Sequence, residues 1–334
     1  MTLTENQSTH LSITDIPGIK AGHYTDFDSI TGCTAVLCEG GAVGGVDVRG
    51  GAPGSRETDA LDPMSSVPLI HGVVLSGGSA FGLQSVDGAI QYLKTRGIGH
   101  KAGNSKIPIV AGSILFDLSI GLDEPPSSES GYKACIAAKN RQIQEGTIGA
   151  GTGATVAKLM GMERAIKGGI GTYGITLGDG SMVAAIVATN AIGGIFDYKT
   201  GSLIAGPLDR TGTGMLNPME CILDTNWAPP KLVQNNTTIG VVATDVQLTK
   251  PQAKKLSAAA HDGLALSVRP AHTTHDGDTF FCLSTGTSNV SADMDRLIAA
   301  ASVCVAEAIL RSVKLASSIS NVNSIGDLST INSF

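Results

Sequence analysis

The alternation of apolar and polar residues predicts regularly spaced strands and helices in the second half of the chain. A run of β-branched and apolar residues over 238–246 is typical of a buried strand, and a second such run covers 279–285. Apolar positions with helical spacing predict helices over 251–268 and 293–315, the latter with one broad apolar face. Because strands and helices interleave, the pattern indicates a layered α/β architecture.

The first half of the chain shows the same alternation. Its clearest feature is a predicted hairpin with arms 172–177 and 182–190 around the turn sequence Gly178-Asp179-Gly180. Upstream of the hairpin, the pattern predicts strands over 34–38, 45–49, 73–75 and 107–116, and helices over 80–95 and 127–144.

Four segments follow neither period and are predicted to be irregular. Residues 1–11 are expected to form a frayed arm, and the Gly-, Pro- and charge-rich stretch 50–63 a loop. Residues 220–236, which contain a Trp-Ala-Pro-Pro sequence, are expected to form a linker. The Ser- and Asn-rich tail from Ser317 is expected to be loose.

Composition narrows the function class. The 334 residues are 42% apolar, which is enough for a substantial core, and the 43 glycines indicate many tight turns. A formal charge of −6 without a long basic cluster argues against a nucleic-acid partner. Residues 1–20 lack the apolar core of a signal peptide, and the longest apolar stretch, 182–196, is too short for a membrane span. The six cysteines form no C-x-x-C pair and are expected to be buried, reduced thiols. A cytoplasmic protein without a membrane partner is therefore expected.

The start of the strand predicted over 238–246 contains candidate catalytic residues. Thr237 follows Asn236 directly at the beginning of the predicted strand, and Asp276 and Asp278 flank a glycine in a turn downstream. If the bond between Asn236 and Thr237 were cut, Thr237 would combine a hydroxyl nucleophile with a free α-amine as its base. Taken alone, the same residues also fit an ordinary strand start and a solvated turn.

Several motifs together resemble the L-aminopeptidase/D-esterase family. This family of self-processing, N-terminal-nucleophile-type hydrolases includes the β-peptidyl aminopeptidases and the endo-type 6-aminohexanoate (nylon) oligomer hydrolases. The resemblance covers nearly the whole chain. It is carried by Asp-Val-Arg-Gly-Gly-Ala-Pro-Gly at 47–54, Leu-Ser-Gly-Gly-Ser-Ala-Phe-Gly-Leu at 75–83, the Gly-rich loop 149–155 with Lys158, Asn-Thr-Thr-Ile at 236–239 with Ala-Thr-Asp at 243–245, and His-Asp-Gly-Asp-Thr-Phe at 275–280.

The resemblance implies a fold, a maturation step and an activity. The fold would be a four-layer αββα sandwich in a single catalytic domain, residues 1–334. The precursor would cut itself between Asn236 and Thr237 into an α subunit, 1–236, and a β subunit, 237–334. The product would hydrolyse short peptides or amides through an acyl-enzyme at Thr237, without a metal or other cofactor. Dihedral homo-oligomers of αβ units, such as a homotetramer, would be expected.

The same resemblance assigns roles to further residues. Lys158 would hydrogen-bond the Thr237 hydroxyl and favour its ionised form, whereas local sequence alone favours an exposed helix position. Asn190 would donate to the oxyanion, whereas locally it could simply end a strand. One of Asp276 and Asp278 would accept from the Thr237 ammonium, and the other would orient its hydroxyl.

The substrate would bind near Phe116, Ser79 and Phe81, in a mostly apolar pocket. The nylon-oligomer hydrolases carry a tyrosine where this chain has Phe116, so this chain would work without that hydroxyl. Two other functions stay open: an acyltransferase similar to the ornithine acetyltransferases, and a non-catalytic binding protein of the same fold. A metal site at His272 and His275, which lie three residues apart beside Asp276, also stays open as an alternative, whereas the loop 149–155 lacks the spacing of a phosphate loop.

Overall fold

The computed structural model describes residues 11–228 and 236–331, with side chains as far as residue 328. The described residues form six α-helices: α1 Ser85–Thr95, α2 Ser128–Ala137, α3 Pro218–Leu223, α4 Lys250–Ser267, α5 Met294–Lys314 and α6 Ile325–Ile331. They also form sixteen strands: β1 Lys20–Asp26, β2 Thr31–Val48, β3 Ser55–Arg56, β4 Ile70–Ser76, β5 His100–Ala102, β6 Ser105–Ile107, β7 Val110–Ile114, β8 Thr155–Val156, β9 Ile166–Lys167, β10 Gly169–Thr176, β11 Met182–Asn190, β12 Gly194–Phe196, β13 Leu203–Ala205, β14 Thr237–Thr244, β15 Val268–Arg269 and β16 Thr279–Ser284.

Two β-sheets share the long strand β2. Its first part, Cys33 to Leu37, pairs with β4, and β1 lies on its other side; β7 and β3 continue this sheet beyond β4. Its last part, Val43 to Val48, pairs with β16 in the second sheet, whose order continues β16-β14-β11-β10. One chain segment thereby fixes the two sheets relative to each other.

Three buried apolar clusters separate four layers. The first packs helices α1 and α2 on the β2–β4–β7 sheet and contains Leu37. The second lies between the sheets and contains Val36 from one and Val241 from the other. The third packs α4 and α5 on the outer face of the second sheet and contains Val242. Because adjacent strand residues point to opposite faces, Val241 and Val242 enter different cores. The expected four-layer αββα sandwich is confirmed.

The strongest periodic patterns agree with the structure. The hairpin is formed by β10 and β11, and the helices predicted over 251–268 and 293–315 are α4 and α5. The strands predicted over 34–38 and 45–49 are parts of the single strand β2. The strand predicted over 107–116 is shorter, because Ser105–Ile107 pairs with His100–Ala102 instead.

Two segments differ from their predicted structure because their backbones pair with distant parts of the chain. The helix predicted over 127–144 ends at Ala137, because Ala138 turns extended and Lys139 exchanges backbone hydrogen bonds with Ala21. The tail from Ser317 is predicted to be loose, and this prediction is wrong for its described part. The tail includes α6, and the carbonyl of Asn323 accepts a hydrogen bond from Lys167 N–H.

The remaining irregular segments are partly structured. The stretch 50–63 contains β3, and the linker predicted over 220–236 overlaps α3. Residues 1–10 of the predicted arm and 229–235 of the predicted linker lie outside the described residues. None of the described helices is long and apolar enough to cross a lipid bilayer.

Candidate active site

The register of three strands assembles the site at one end of the second sheet. In the antiparallel pair β11–β14, Asn190 lies directly opposite Thr237. Strand β16 runs parallel to β14, with Thr279 opposite Ile239. Parallel strands begin at the same edge of a sheet, so the turn before β16 lies beside the first residue of β14. Asn190, Thr237 and the Asp276–Asp278 turn therefore meet.

The peptide bond between Asn236 and Thr237 lies inside this cluster. The Thr237 hydroxyl donates to the carbonyl oxygen of Asn236, with an O–O distance of 2.5 Å. The backbone N–H of Gly277 donates to the same carbonyl oxygen at 2.7 Å. Asn236 and Thr237 are only 2% and 3% exposed. A candidate nucleophile and a backbone donor thus converge on one buried carbonyl.

Gly277 is the residue type that this convergence requires. A Cβ atom at this position would lie 2.8 Å from Thr237 Oγ1 and 2.6 Å from the carbonyl oxygen of Ala52. Both separations are shorter than ordinary contacts of a carbon atom, so a side chain would push the turn away from Thr237. The glycine between the two aspartates therefore lets the turn approach the carbonyl of Asn236.

Asp278 anchors the start of β14. Its Oδ1 accepts from the backbone N–H of Thr238 at 2.8 Å. Its Oδ2 accepts from the backbone N–H of His272 at 3.1 Å and lies 2.9 Å from His272 Nδ1. The carboxylate therefore connects the residue after the candidate nucleophile to the 272–278 loop.

Asp276 is held in a different way. Its Oδ2 accepts from the backbone N–H of Thr273 at 3.0 Å and from the Thr273 hydroxyl at 2.6 Å. Burial raises the pKa of Asp276 to about 6, and the neighbouring charge of Asp278 adds to the rise. Two buried carboxylates separated by one residue repel each other, which makes a cation at this place favourable.

Lys158 is buried beside Asn190 and is not on an exposed helix face. Ala157 adopts a left-handed conformation, φ 58°, and the backbone N–H of Lys158 donates to Ile192. From there its Nζ donates to both the backbone oxygen and the Oδ1 of Asn190, each at 2.9 Å. Burial lowers the pKa of Lys158 to about 7, although the carboxylates of Asp276 and Asp117 oppose the shift. Near neutral pH this amine can therefore gain or lose a proton.

The Asn190 amide links the two sheets. Its Oδ1 accepts from the Thr155 backbone N–H at 2.9 Å as well as from Lys158, and its Nδ2 donates to the carbonyl oxygen of Phe116 at 3.1 Å. Phe116 follows β7 of the other sheet. The amide oxygen thus accepts several hydrogen bonds and the amide nitrogen donates one, and the expected role of Asn190 as an oxyanion donor stays a prediction.

The segment 77–81 is attached to the same strand end. Ser79 has a positive φ of 53°, and its backbone N–H donates to the carbonyl of Leu115. Phe81 is 63% exposed. The backbone of Ser79 therefore lies next to Leu115, the residue that precedes Phe116. Substrate binding by Phe116, Ser79 and Phe81 stays a prediction.

Two buried ionisable residues near the site were not predicted. The carboxylate of Asp117 accepts from the Thr31 hydroxyl and from Gly78 N–H, each at 2.7 Å, and burial raises its pKa to about 6. Lys167 Nζ donates to three backbone carbonyls, and burial lowers its pKa to about 7. For Lys167, the sequence signal is its position inside the apolar run 165–170. No comparable signal marks Asp117.

The structure also shows the state of the cysteines and whether side chains cluster as metal ligands. All six cysteines are free; five are buried, and Cys221 is half-buried. Over residues 11–228 and 236–331, no three His, Cys, Asp or Glu side chains come together in an arrangement that could hold a metal ion.

The four-layer arrangement is similar to that of a solved structure described as having an N-terminal-nucleophile hydrolase fold. The solved L-aminopeptidase D-Ala-esterase/amidase of Ochrobactrum anthropi is described as a variant of that fold and as a prototype for the serine aminopeptidases. It superposes with a TM-score of 0.68 at 18% identity, covering 96% of this chain and 92% of that one.

Residues 12–325 match the model of peptidase family S58, and the chain belongs to this family. It is 40% identical to an uncharacterized aminopeptidase of Mycobacterium leprae, over 93% of this chain and 92% of the relative. It is 28% identical to the 6-aminohexanoate-oligomer endohydrolase of Paenarthrobacter ureafaciens, over 81% of this chain and 74% of the relative. The chain is therefore an amide-bond hydrolase.

The buried amine of Lys158 gives a testable pH dependence of stability. Its pKa in the folded chain, about 7, lies below its ordinary value of 10.5, so between these values the unfolded chain binds the extra proton. Stability therefore rises with pH across this window. In a Thr237→Val background, which removes the candidate nucleophile, Lys158→Met is expected to reduce the slope by up to about 1.4 kcal/mol per pH unit. Urea unfolding between about pH 7.5 and 9.5 measures it. Lys106→Met, at an exposed position, serves as the control. Parallel stability curves for the parent and Lys158→Met would contradict the assignment.

Proposed function

We propose that this protein is a self-processing amide hydrolase that cuts itself between Asn236 and Thr237 and then uses Thr237 as its nucleophile. The observation that carries the proposal is the shared carbonyl oxygen of Asn236, which accepts from both the Thr237 hydroxyl and Gly277 N–H. The Thr237 hydroxyl reaches the carbonyl of the peptide bond that precedes it. The Gly277 backbone N–H polarises this same carbonyl.

The proposed self-cleavage takes place in three steps: addition, cleavage of the amide bond and hydrolysis of the ester. Thr237 Oγ adds to the carbonyl carbon of Asn236 while its proton passes to a base, and Gly277 N–H stabilises the oxyanion. The carbon–nitrogen bond then breaks, and the Thr237 nitrogen takes up a proton to become a free amine. Water hydrolyses the resulting ester, which restores the hydroxyl and leaves Asn236 with a carboxylate. The products are an α subunit, 1–236, and a β subunit, 237–334.

The buried groups around Thr237 supply proton transfer and orientation. Neutral Lys158, with a pKa of about 7, is the candidate base for self-cleavage. After the cut, the Thr237 α-amine takes over as general base, since such amines titrate near pH 7.7–8.0 in model peptides. Asp278 holds the adjacent backbone through Thr238, and Asp276 offers charge to the new ammonium. Asn190 joins Gly277 as an oxyanion donor once its Nδ2 turns from the Phe116 carbonyl.

Short peptides and amides are the substrates that we propose. The Mycobacterium leprae relative is named an aminopeptidase and the Paenarthrobacter relative an oligomer endohydrolase, so both names describe cleavage of amide chains. The deep burial of Thr237 favours substrates with a free, extended end over folded proteins. We also propose a cytoplasmic location, which the six free cysteines support because reducing compartments keep thiols unpaired.

Replacing the Thr237 hydroxyl tests the nucleophile directly. Thr237→Val keeps the shape and burial of the side chain but removes Oγ, so it is expected to remain one chain during prolonged incubation near pH 8. The parent is expected to give two fragments by denaturing gel and mass spectrometry, the smaller beginning Thr-Thr-Ile-Gly. Thr238→Val is the matched control, because the buried Thr238 hydroxyl has no hydrogen-bond partner among the described residues. A folded parent that stays intact, or a cut Thr237→Val chain, would refute the proposal.

Neutralising the two aspartates tests their role in the chemistry. Asp276→Asn and Asp278→Asn are each expected to slow self-cleavage by about 10²-fold or more, the scale on which proton-transfer and charge effects act. Loss of one or two hydrogen bonds should lower the melting temperature by only a few degrees. Gel time courses with parallel thermal melts measure both effects, with Asp87→Asn at an exposed position of α1 as the control. Cleavage rates near the parental value in both variants would make the turn purely structural.

The mature enzyme is proposed to be a homo-oligomer of αβ units with dihedral symmetry, such as a homotetramer. Exposed small residues of α5, such as Ala299, and the many Gly-rich loops allow close packing between subunits. Light scattering on the cut protein is expected to give a multiple of the 34.0 kDa unit. A mass of one unit would contradict the assembly.

A further inference from the structure

The imidazole of His272 binds the carboxylate that holds the start of β14. Its Nδ1 lies 2.9 Å from Asp278 Oδ2, and the backbone N–H of His272 donates to the same oxygen at 3.1 Å. The other carboxylate oxygen, Oδ1, accepts from the backbone N–H of Thr238. Because both oxygens already accept from backbone N–H groups, the carboxylate is the acceptor and Nδ1 carries the hydrogen of this contact. The side chain of His272 therefore fixes the orientation of Asp278.

Thr238 depends on Asp278 because it lies before the first pair of the parallel ladder. Pairing between β14 and β16 begins with Ile239 and Thr279. The N–H of Thr238 is bound by the side chain of Asp278 instead of by a backbone oxygen of β16. This N–H belongs to the peptide that joins Thr237 to Thr238, so its position helps to set the position of the candidate nucleophile.

The backbone at His272 adopts a strained conformation that supports the contact. Its φ of 56° lies in the left-handed region, where few residues other than glycine are found. In this conformation, the N–H and the ring of one residue bind the same carboxylate oxygen. Strain of this kind persists where the surrounding structure imposes it, and it is concentrated at functional sites.

The packing around the His272 ring costs stability. His261 of α4 lies against it, with the ring centroids 4.8 Å apart. The Nε2 of His261 donates to the carbonyl oxygen of Asp47 at 3.0 Å, and burial lowers the pKa of this imidazole to about 4, so it is neutral. His261 Nδ1 and His272 Nε2 are buried without hydrogen-bond partners among the described residues, which is unfavourable. An apolar side chain would avoid that cost, so the contact with Asp278 is what a histidine adds here.

We propose that His272 is a positioning residue of the mature enzyme. Acting through Asp278 and the Thr238 N–H, its Nδ1–H holds the new amino end of the β subunit in place for reaction with a substrate. The donor is what this role requires, and a positive charge on the ring is not. The proposal rests on the self-cleavage proposed above and adds a residue that supports the site after the cut.

The cut makes this contact more important than it is in the uncut chain. In the uncut chain, Thr237 is also attached to Asn236, whose N–H and carbonyl are bound by His275 and Gly277. Cleavage removes that attachment. Thr237 is then held by its pairing with β11 and by the contact of the next residue with Asp278. Loss of the His272 donor should therefore slow turnover more than it slows self-cleavage.

Three substitutions separate the donor from the ring and from the backbone strain. His272→Asn keeps a neutral N–H donor near the place of Nδ1 and suits a left-handed φ. His272→Gly suits the same φ but has no donor, and His272→Phe keeps a ring but has no donor. His100→Phe, at an exposed position of β5, is the control.

Kinetics of the self-cleaved enzyme on L-alanine 4-nitroanilide give the first readout. His272→Asn is expected to keep kcat within about threefold of the parent. His272→Gly and His272→Phe are expected to lower kcat about 10- to 100-fold, the range for one hydrogen bond to a charged group. KM should change little, because a misplaced nucleophile weakens the transition state and not substrate binding. Self-cleavage of the same two variants should slow by less than about 10-fold, since Asp278 keeps its charge.

Hydrogen exchange gives a second readout that does not need a cut chain. In the Thr237→Val background, the Thr238 N–H is expected to exchange about 10-fold faster in His272→Gly and His272→Phe than in His272→Asn. The N–H of Val242, in the middle of β14, is the internal reference, because a general loss of stability would speed both amides. Thermal melts identify a variant that fails to fold.

The outcomes distinguish this proposal from the one on which it rests. A parent chain that stays uncut on a gel refutes self-cleavage, whereas equal Thr238 exchange rates in the three variants overturn the positioning role whether or not the chain is cut. In the cut enzyme, a parental kcat in both His272→Gly and His272→Phe overturns it, as does a His272→Asn enzyme that is as slow as His272→Gly. Self-cleavage that slows as much as kcat overturns the greater importance of the contact after the cut.

Discussion

The pairing of β14 with both of its neighbours sets the position of every group in the site. Antiparallel register places Asn190 opposite Thr237, and parallel register with β16 brings the Asp276–Asp278 turn to the same edge. A shift of one residue in either pair would move these side chains to the opposite face of the sheet. The apolar residues of β14 resist such a shift, because they alternate between the core between the sheets and the core beneath α4 and α5.

The interior around Thr237 carries more charge than a stable core requires. Lys158, Lys167, Asp117, Asp276 and Asp278 are all at most 4% exposed. Burying charged groups is costly unless they are paired and hydrogen-bonded, and here backbone carbonyls and N–H groups satisfy most of them. The balance leaves Lys158 and Asp276 with pKa values near neutrality, which is where groups that transfer protons are useful.

The proposed self-cleavage would place opposite demands on the same few atoms. In the structure, the turn at 275–277 holds Asn236 against Thr237 through one parallel bridge of two hydrogen bonds. After the proposed cut, Asn236 would have to leave before a substrate could reach Thr237. Two hydrogen bonds orient Asn236 but are weak enough to be given up once the covalent bond is gone. The Nδ2 of Asn236, which has no hydrogen-bond partner among the described residues, favours the same departure.

Local pattern determined much of this protein. The β10–β11 hairpin, the long helices α4 and α5 and the layered α/β class follow from apolar periodicity and turn residues. Several motifs taken together, including the one at 236–239, indicated the family. Tertiary structure decided the rest. Long-range pairing merged two predicted strands into β2 and ended α2 at Ala137. The local sequence around Lys158 favoured an exposed position, whereas tertiary packing buries this lysine beside Asn190. The closeness of Gly277 to Thr237 likewise depends on how two parallel strands begin, and sequence spacing carries no information about that distance.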